Sequence, residues 1–116
     1  MAPEMVVRRL LHSLGYRYRL HAKELPGKPD IVFRKRKKAI FVHGCFWHQH
    51  EDPACKIVRV PKSKQDYWIP KLRRNVERDK AAIADLEKEG WAVMVIWECE
   101  LIDIETIIQR LVGFLE

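Results

Sequence analysis

Residues 43 to 55 read HGCFWHQHEDPAC, a stretch that packs three histidines, two cysteines and two acids around an adjacent Phe46-Trp47 pair. Thiolate and imidazole are the ligands zinc prefers, and a closed structural site takes four of them in a tetrahedron. Cys45, His50 and Cys55 share this loop, and Cys99 stands just beyond the apolar run WAVMVIW, from which it can reach the loop from the side. The resulting Cys3His set is expected to hold Zn2+ and to staple a polar loop that has little else to order it. A competing reading leaves Cys99 as a small buried hydrophobe and the loop thiols free. The spacing matches no short zinc-finger pattern, so both readings stand on spacing alone.

Two histidines remain once zinc is supplied. His43 ends one apolar run, His48 lies inside the loop, and Asp30 follows Pro29 at the head of another run, so all three can converge at one end of a sheet. Asp79, within RRNVERDKA, can orient a histidine as an acid-imidazole pair, although an aspartate on a charged helix is more ordinarily a solvated surface group. A hard carboxylate that holds Mg2+ beside an oriented imidazole that activates water suits hydrolysis of a phosphodiester.

The elements that would position these residues are legible as follows. Pro3 suits a first helical turn, Leu10, Leu11 and Leu14 make an apolar stripe, and Gly15 is a stop, which predicts a helix over 3–14. YRYRLH alternates from Tyr16 to His21 as a half-buried strand does. Strands are expected at Asp30–Phe33 and Ala39–Val42, joined by the basic turn Arg34-Lys35-Arg36-Lys37-Lys38, which is either a phosphate contact or an ordinary charged hairpin tip. Ser63 and Asp66 resemble a capping box, but Pro70 is a poor helix-interior residue, so the main helix is placed from Pro70 to Glu89, before Gly90. WAVMVIW, from Trp91 to Trp97, is expected as a strand covered on both faces, and a last amphipathic helix over 103–115. The order α-β-β-β-α-β-α predicts a single α/β domain over 1–116, a mixed sheet flanked by helices.

Bulk properties agree. The 116 residues suffice for one core, 47% are hydrophobic and 33% charged, and no apolar run is long enough for a membrane span. Three cysteines without a secretory signal argue for reduced thiols and a cytoplasmic address. The net charge of +6 points weakly to a polyanion.

PGKPDIVF, HGCFWHQH, RNVERD and VIWEC, in this order, make the chain resemble the very short patch repair endonucleases, bacterial enzymes that nick DNA beside a T:G mismatch. The resemblance runs from Pro3 to about Leu101. It implies a restriction-endonuclease-like, three-layer fold and a monomer acting near the nucleoid, with mismatch-repair proteins as the partner class. It also implies roles. Asp30 and the backbone carbonyl of Val42 would hold Mg2+, with His48 the general base, Asp79 its partner, His43 the second active-site histidine and Glu4 the upstream acid. Cys45, His50, Cys55 and Cys99 would be the structural zinc ligands. Phe46 and Trp47 match the aromatics that members of that family push into the base stack. Two departures stand out: family members usually carry a basic segment ahead of the first helix, whereas this chain begins almost at Pro3, and EDPA lengthens the loop before Cys55.

Two other functions remain in view. One keeps the chemistry and changes the target, since a set like Glu4, Asp30, His43, His48 and Asp79 occurs in homing-type nucleases too. The other is a zinc-stapled DNA-binding module without activity, against which the carboxylate-histidine cluster argues, because a pure binder has no need of it.

Overall fold

The computed structural model describes residues 2–52, 55 and 62–116. Helix α1 (Pro3–Ser13) has proline in its first turn and ends ahead of Gly15, whose φ of +87° is the left-handed conformation glycine adopts without penalty. Strands β1 (Arg19–Leu20), β2 (Ile31–Phe33) and β3 (Lys38–His43) form an antiparallel meander. A short helix α2 (Cys45–His48) follows almost at once. Helix α3 (Gln65–Lys88) then carries the chain back so that β4 (Ala92–Trp97) joins β3 in parallel, giving the order β1-β2-β3-β4. A 3-10 turn (Glu98–Ile102) and helix α4 (Ile104–Leu115) complete the chain.

The pleat of the sheet sorts its side chains into two cores and hence the fold into three layers. Ile31, Phe33, Ile40 and Ile96 pack on one face against Val7 and Leu11 of α1 and Ile107, Leu111 and Leu115 of α4. Val32, Ala39 and Phe41 pack on the other against Leu86 of α3 and Trp91. Each fully buried Leu or Ile contributes on the order of 2 kcal/mol, so the first core carries most of the stability. The strands enclosed on both faces are β2 and β3. WAVMVIW feeds both cores too, through Val93, Val95, Met94 and Ile96, but β4 lies at the sheet edge among the described strands and leaves Ala92 exposed.

Several expected boundaries move. Helix α3 begins at Gln65, five residues before the expected Pro70, and includes that proline. Pro70 lies near the amino end, where it removes a single ladder bond, and Trp68 repays the loss by packing on Phe46 and Trp47 at 5.5 and 5.8 Å between ring centroids. No capping box of Ser63 and Asp66 forms; Lys64, at φ 57°, is the N-cap and no side chain caps the helix. Strand β1 keeps only Arg19 and Leu20 of the expected 16–21, because Tyr16 and Tyr18 instead set their rings edge-on against Phe33. Part of the lengthened loop, residues 53, 54 and 56–61, lies outside the described residues.

The basic turn after β2 resolves into helix caps. Arg36 donates to the carbonyl of Leu115 and Lys38 to that of Phe114, both at the end of α4, while Lys37 Nζ donates to Glu89 O, 2.8 Å away, at the end of α3. Cations at helix carboxyl ends satisfy orphan carbonyls and oppose the negative pole of the helix dipole.

Candidate active site

Strand β3 runs directly into α2, and this junction presents the chemical residues. Cys45 is fully buried at the start of α2, its N–H donating to Glu98 Oε1 at 3.3 Å. The 3-10 turn supplies Cys99. That turn is fixed by Glu100, whose carboxylate accepts from Trp97 N at 2.8 Å and from Arg110 of α4 at 2.7 Å. His50 stacks on the Trp97 ring, 4.3 Å between centroids, and turns Nδ1 toward Cys45 Sγ at 3.7 Å and Cys99 Sγ at 3.4 Å. The ligand atoms of Cys45, His50, Cys55 and Cys99 all lie within 4.8 Å of one another. A tetrahedron with Zn–S of about 2.3 Å and Zn–N of about 2.0 Å has S···N edges of about 3.5 Å, which the two His50 distances bracket. Burial first, then the interactions of its S–H with the Cys55 and Cys99 sulfurs, push the Cys45 thiol up to about 12 against the opposing pull of the Cys99 N–H, and burial raises Cys99 as well. Thiols so held give up their protons to a cation, and the group can hold a metal ion.

Three residues later comes His48, whose Nδ1 is 2.5 Å from Asp79 Oδ2. Asp79 is not a solvated surface charge: it falls on the α3 stripe Leu72, Val76, Asp79, Ala82, Ile83 and Leu86, the face turned to the sheet and α2. An ionised carboxylate only accepts, so Nδ1 carries the proton, and in the neutral ring the lone pair then falls on Nε2. One turn earlier on the same face, Asn75 Nδ2 donates to Trp47 O at 3.2 Å, so Asn75 and Asp79 at i and i+4 dock α2 through its backbone and its imidazole together. Asn75 was not among the residues singled out from sequence. Its spacing from Asp79 in RNVERD was the available signal.

His43, at the end of β3, is buried and lies flat against His48, with centroids 3.8 Å apart and planes 4° from parallel. Burial and the adjacent His48 lower its pKa to about 4, against the opposing pull of Asp79. It is therefore neutral at pH 7. Its Nδ1 is buried without a hydrogen-bond partner among the described residues, a costly arrangement of the kind found in functional sites. His43, His48 and Asp79 line one open cleft with Gln49, His50, Val76 and Trp97.

Asp30 and Glu4 do not join that cleft. They form a second group with His21, ligand atoms within 4.8 Å of one another, across the end of β3 from the first. The three residues expected to converge at one end of the sheet, Asp30, His43 and His48, are thus divided between two clusters linked by β3, Asp79 joining the histidines and Glu4 joining Asp30. Asp30 Oδ2 accepts from Val42 N at 2.8 Å, continuing the ladder where β2 has ended, and Val42 adjoins His43. Lys37 O bonds to Ala92 of β4, so alternate residues face that strand and Val42, five positions on, directs its carbonyl to the same edge as its N–H, toward Asp30. Burial raises the Asp30 pKa, the Val42 N–H lowers it, and Glu4 raises it again.

The aromatics form a cluster on the outer side. Trp47 is 47% exposed, and Phe46, half-buried, meets it at 5.0 Å. Trp68 touches both, Tyr67 extends the group at 5.0 Å from Trp68, and Lys71 Nζ lies 5.5 Å from the Trp47 centroid. Trp68 and Tyr67 were passed over in the sequence because the proline after them excluded a helix there.

Among solved structures, the catalytic domain of the homing endonuclease I-Bth0305I superposes with a TM-score of 0.69 at 25% identity, covering 98% of this chain and 93% of that one. Fold and site together define a restriction-endonuclease-like DNA endonuclease, a hydrolase of phosphodiester bonds. The type II nicking enzyme V.XorIIP of Xanthomonas oryzae is 54% identical over 98% of this chain and 82% of its own length. The DNA mismatch endonuclease Vsr of Escherichia coli is 41% identical over 79% of this chain and 57% of its own length. The model of the family described as DNA mismatch endonuclease Vsr matches residues 1–54, and the chain belongs to that family. Among the described residues no helix is long and apolar enough to cross a membrane.

Proposed function

We propose that this chain, acting as one domain and a monomer, nicks one strand of duplex DNA beside a T:G mismatch, with Mg2+ at Asp30 and the Val42 carbonyl and structural Zn2+ at Cys45, His50, Cys55 and Cys99. The observation that carries the reading is the His48–Asp79 pair set 2.5 Å apart beside an exposed aromatic cluster. His48 Nε2 takes the proton of a water whose oxygen attacks phosphorus, one ester P–O bond breaks, and the leaving strand-end oxygen takes a proton from solvent water to become a hydroxyl. Asp79 holds the proton at Nδ1 throughout and stabilises the imidazolium that forms. His43, stacked on it and neutral, adds no opposing charge. When bound, the divalent cation supplies positive charge against the phosphodiester and its leaving group. Asp30, the Val42 carbonyl and Glu4 would provide the hard oxygens for it.

Recognition rests on deformation. Phe46 and Trp47, with Trp68 behind them, act as a wedge between base steps, which costs a few kcal/mol per step and less at a poorly held mispair. The name of the Escherichia coli relative supports a mismatch as the target. The test is a panel of labelled duplexes, identical but for T:G or T:A in varied contexts, with and without Mg2+. Faster nicking of T:G, only with the cation, is expected; equal rates on both would end the mismatch reading. The likeness to a homing endonuclease over 98% of the chain favours a second reading, cleavage of a particular paired sequence, which the T:A arm of the panel detects.

A further inference from the structure

His21 has no part in the mechanism above, yet it completes the second cluster. Its Nε2 lies 3.5 Å from Glu4 Oε1, and the ligand atoms of Glu4, His21 and Asp30 all fall within 4.8 Å of one another. The sheet sets this position. Beyond the pairs Arg19↔Val32 and Leu20↔Ile31, the His21 N–H donates to Asp30 O at 3.1 Å and the Ala22 N–H to Pro29 O at 3.3 Å, so His21 stands directly across from Asp30. At φ 49° His21 turns out of the strand just past Leu20, and this left-handed step brings its imidazole to the carboxylates of Asp30 and Glu4, close enough for all three to reach one ion. The His21 side chain is 54% exposed, so the imidazole closes the cluster on the solvent side. Two half-buried carboxylates and one imidazole make a mixed oxygen and nitrogen donor set.

We propose that His21 Nε2 is a further protein ligand, beside Asp30, Glu4 and the Val42 carbonyl, of the divalent cation that drives cleavage. The inference rests on the assignment of that cation to Asp30. An imidazole nitrogen favours Mn2+ and the later transition ions relative to Mg2+, which prefers oxygen donors and water, so the site binds Mn2+ more tightly than an all-oxygen site would. The ordinary alternative is an exposed imidazolium paired with Glu4, which would hold no metal.

The experiment uses the full chain with its zinc in place and Mn2+ as the probe, read by pulsed electron paramagnetic resonance for nitrogen-14 coupling and by titration for affinity. The unaltered protein is expected to show an imidazole nitrogen on Mn2+. His21→Gln is expected to lose that coupling, to weaken Mn2+ binding at least about tenfold, to move Mg2+ affinity less, and to melt unchanged. Nitrogen coupling that persists in His21→Gln, or Mn2+ affinity equal to that of the unaltered protein, overturns the proposal. Asp30→Asn separates the two ways of failing. If it leaves Mn2+ bound as before, the cation is not at Asp30, and both readings fall. If it abolishes binding while His21→Gln keeps the nitrogen signal, only His21 is removed.

Discussion

Asp79→Asn removes a charge and keeps a shape, and the His48 geometry sets what that should do to the rate. Asp79 Oδ2 is 2.5 Å from His48 Nδ1, with the two side chains 26% and 30% exposed. A general base at His48 gains charge as Nε2 takes a proton, so the attraction of the carboxylate is felt chiefly in the transition state. With charge centres about 4 Å apart at an effective dielectric of about 20, full transfer is worth about 4 kcal/mol. Half transfer realises about 2 kcal/mol, a factor of roughly 30, and full transfer about 1,000. Asparagine can also turn its amide nitrogen toward Nδ1, which would move the proton to Nε2 and abolish the base, so the upper part of that range is the better expectation. His48→Ala removes the base itself and should be more severe still. The assay is single-turnover nicking, at saturating enzyme, of a duplex the unaltered protein nicks, with DNA affinity measured in parallel and expected to change by less than about threefold, since the basic surface is untouched. An Asp79→Asn rate within about threefold of normal would mean that His48 gains no charge in the rate-limiting step. A loss exceeding that of His48→Ala would mean that Asp79 does not act through His48.

Cys99→Ser should lower zinc content and melting temperature together, because structural zinc in small domains carries on the order of 10 kcal/mol of folding free energy; full zinc occupancy with unchanged melting would remove Cys99 from the site. Brief EDTA treatment should stop nicking reversibly while circular dichroism shows the fold intact, since the carboxylate site releases its ion more readily than the thiolates do. Phe46→Ala combined with Trp47→Ala should keep zinc and nonspecific DNA affinity but lose most of the T:G over T:A ratio of nicking rates; an unaltered ratio, or an unfolded protein, makes the pair structural. Gly27→Ala should destabilise the fold by roughly 2 to 5 kcal/mol through a left-handed backbone and overpacking, because at φ +73° its added Cβ would stand 2.6 Å from Ala82 Cβ and 3.2 Å from the Phe41 ring; an unchanged urea midpoint would refute the clash.

What could be read before the fold was known depended on how local the cause was. Leu10 and Leu11 in α1, the apolar runs IVF and AIFV, and Gly15 as a stop are set by neighbours along the chain, and they fall where periodicity places them. The grouping of Cys45, His50, Cys55 and Cys99 was legible because so few thiols exist to be grouped. The start of α3 was not. Pro70 argues against a helix locally, and only Trp68 meeting Phe46 and Trp47 across space outweighs it. For Asp79 the residues alone left surface charge and a histidine partner both open, and the resemblance pointed to the partner; the register of α3, which turns it inward, is a tertiary cause. The division of the acids and histidines into two clusters depends on which face of β3 each side meets, and spacing in the chain carries no such information. His21 was hidden for the same reason, since its partner Asp30 is its neighbour only through the pairing of β1 with β2.

The turn that joins β2 to β3 bears on how this chain tolerates change in length. Short, charged hairpin tips are where insertions, tags and new termini are ordinarily accommodated, because nothing depends on them. Here Arg36, Lys37 and Lys38 reach the last carbonyls of α4 and α3, on opposite sides of the sheet. A residue added within that turn would displace Arg36 and Lys37 relative to the paired ends of β2 and β3, and so disturb the caps of two helices packed on opposite faces of the sheet. The segment that looks most suitable for engineering is therefore one to leave uncut, and fusions or circular permutants are better opened elsewhere.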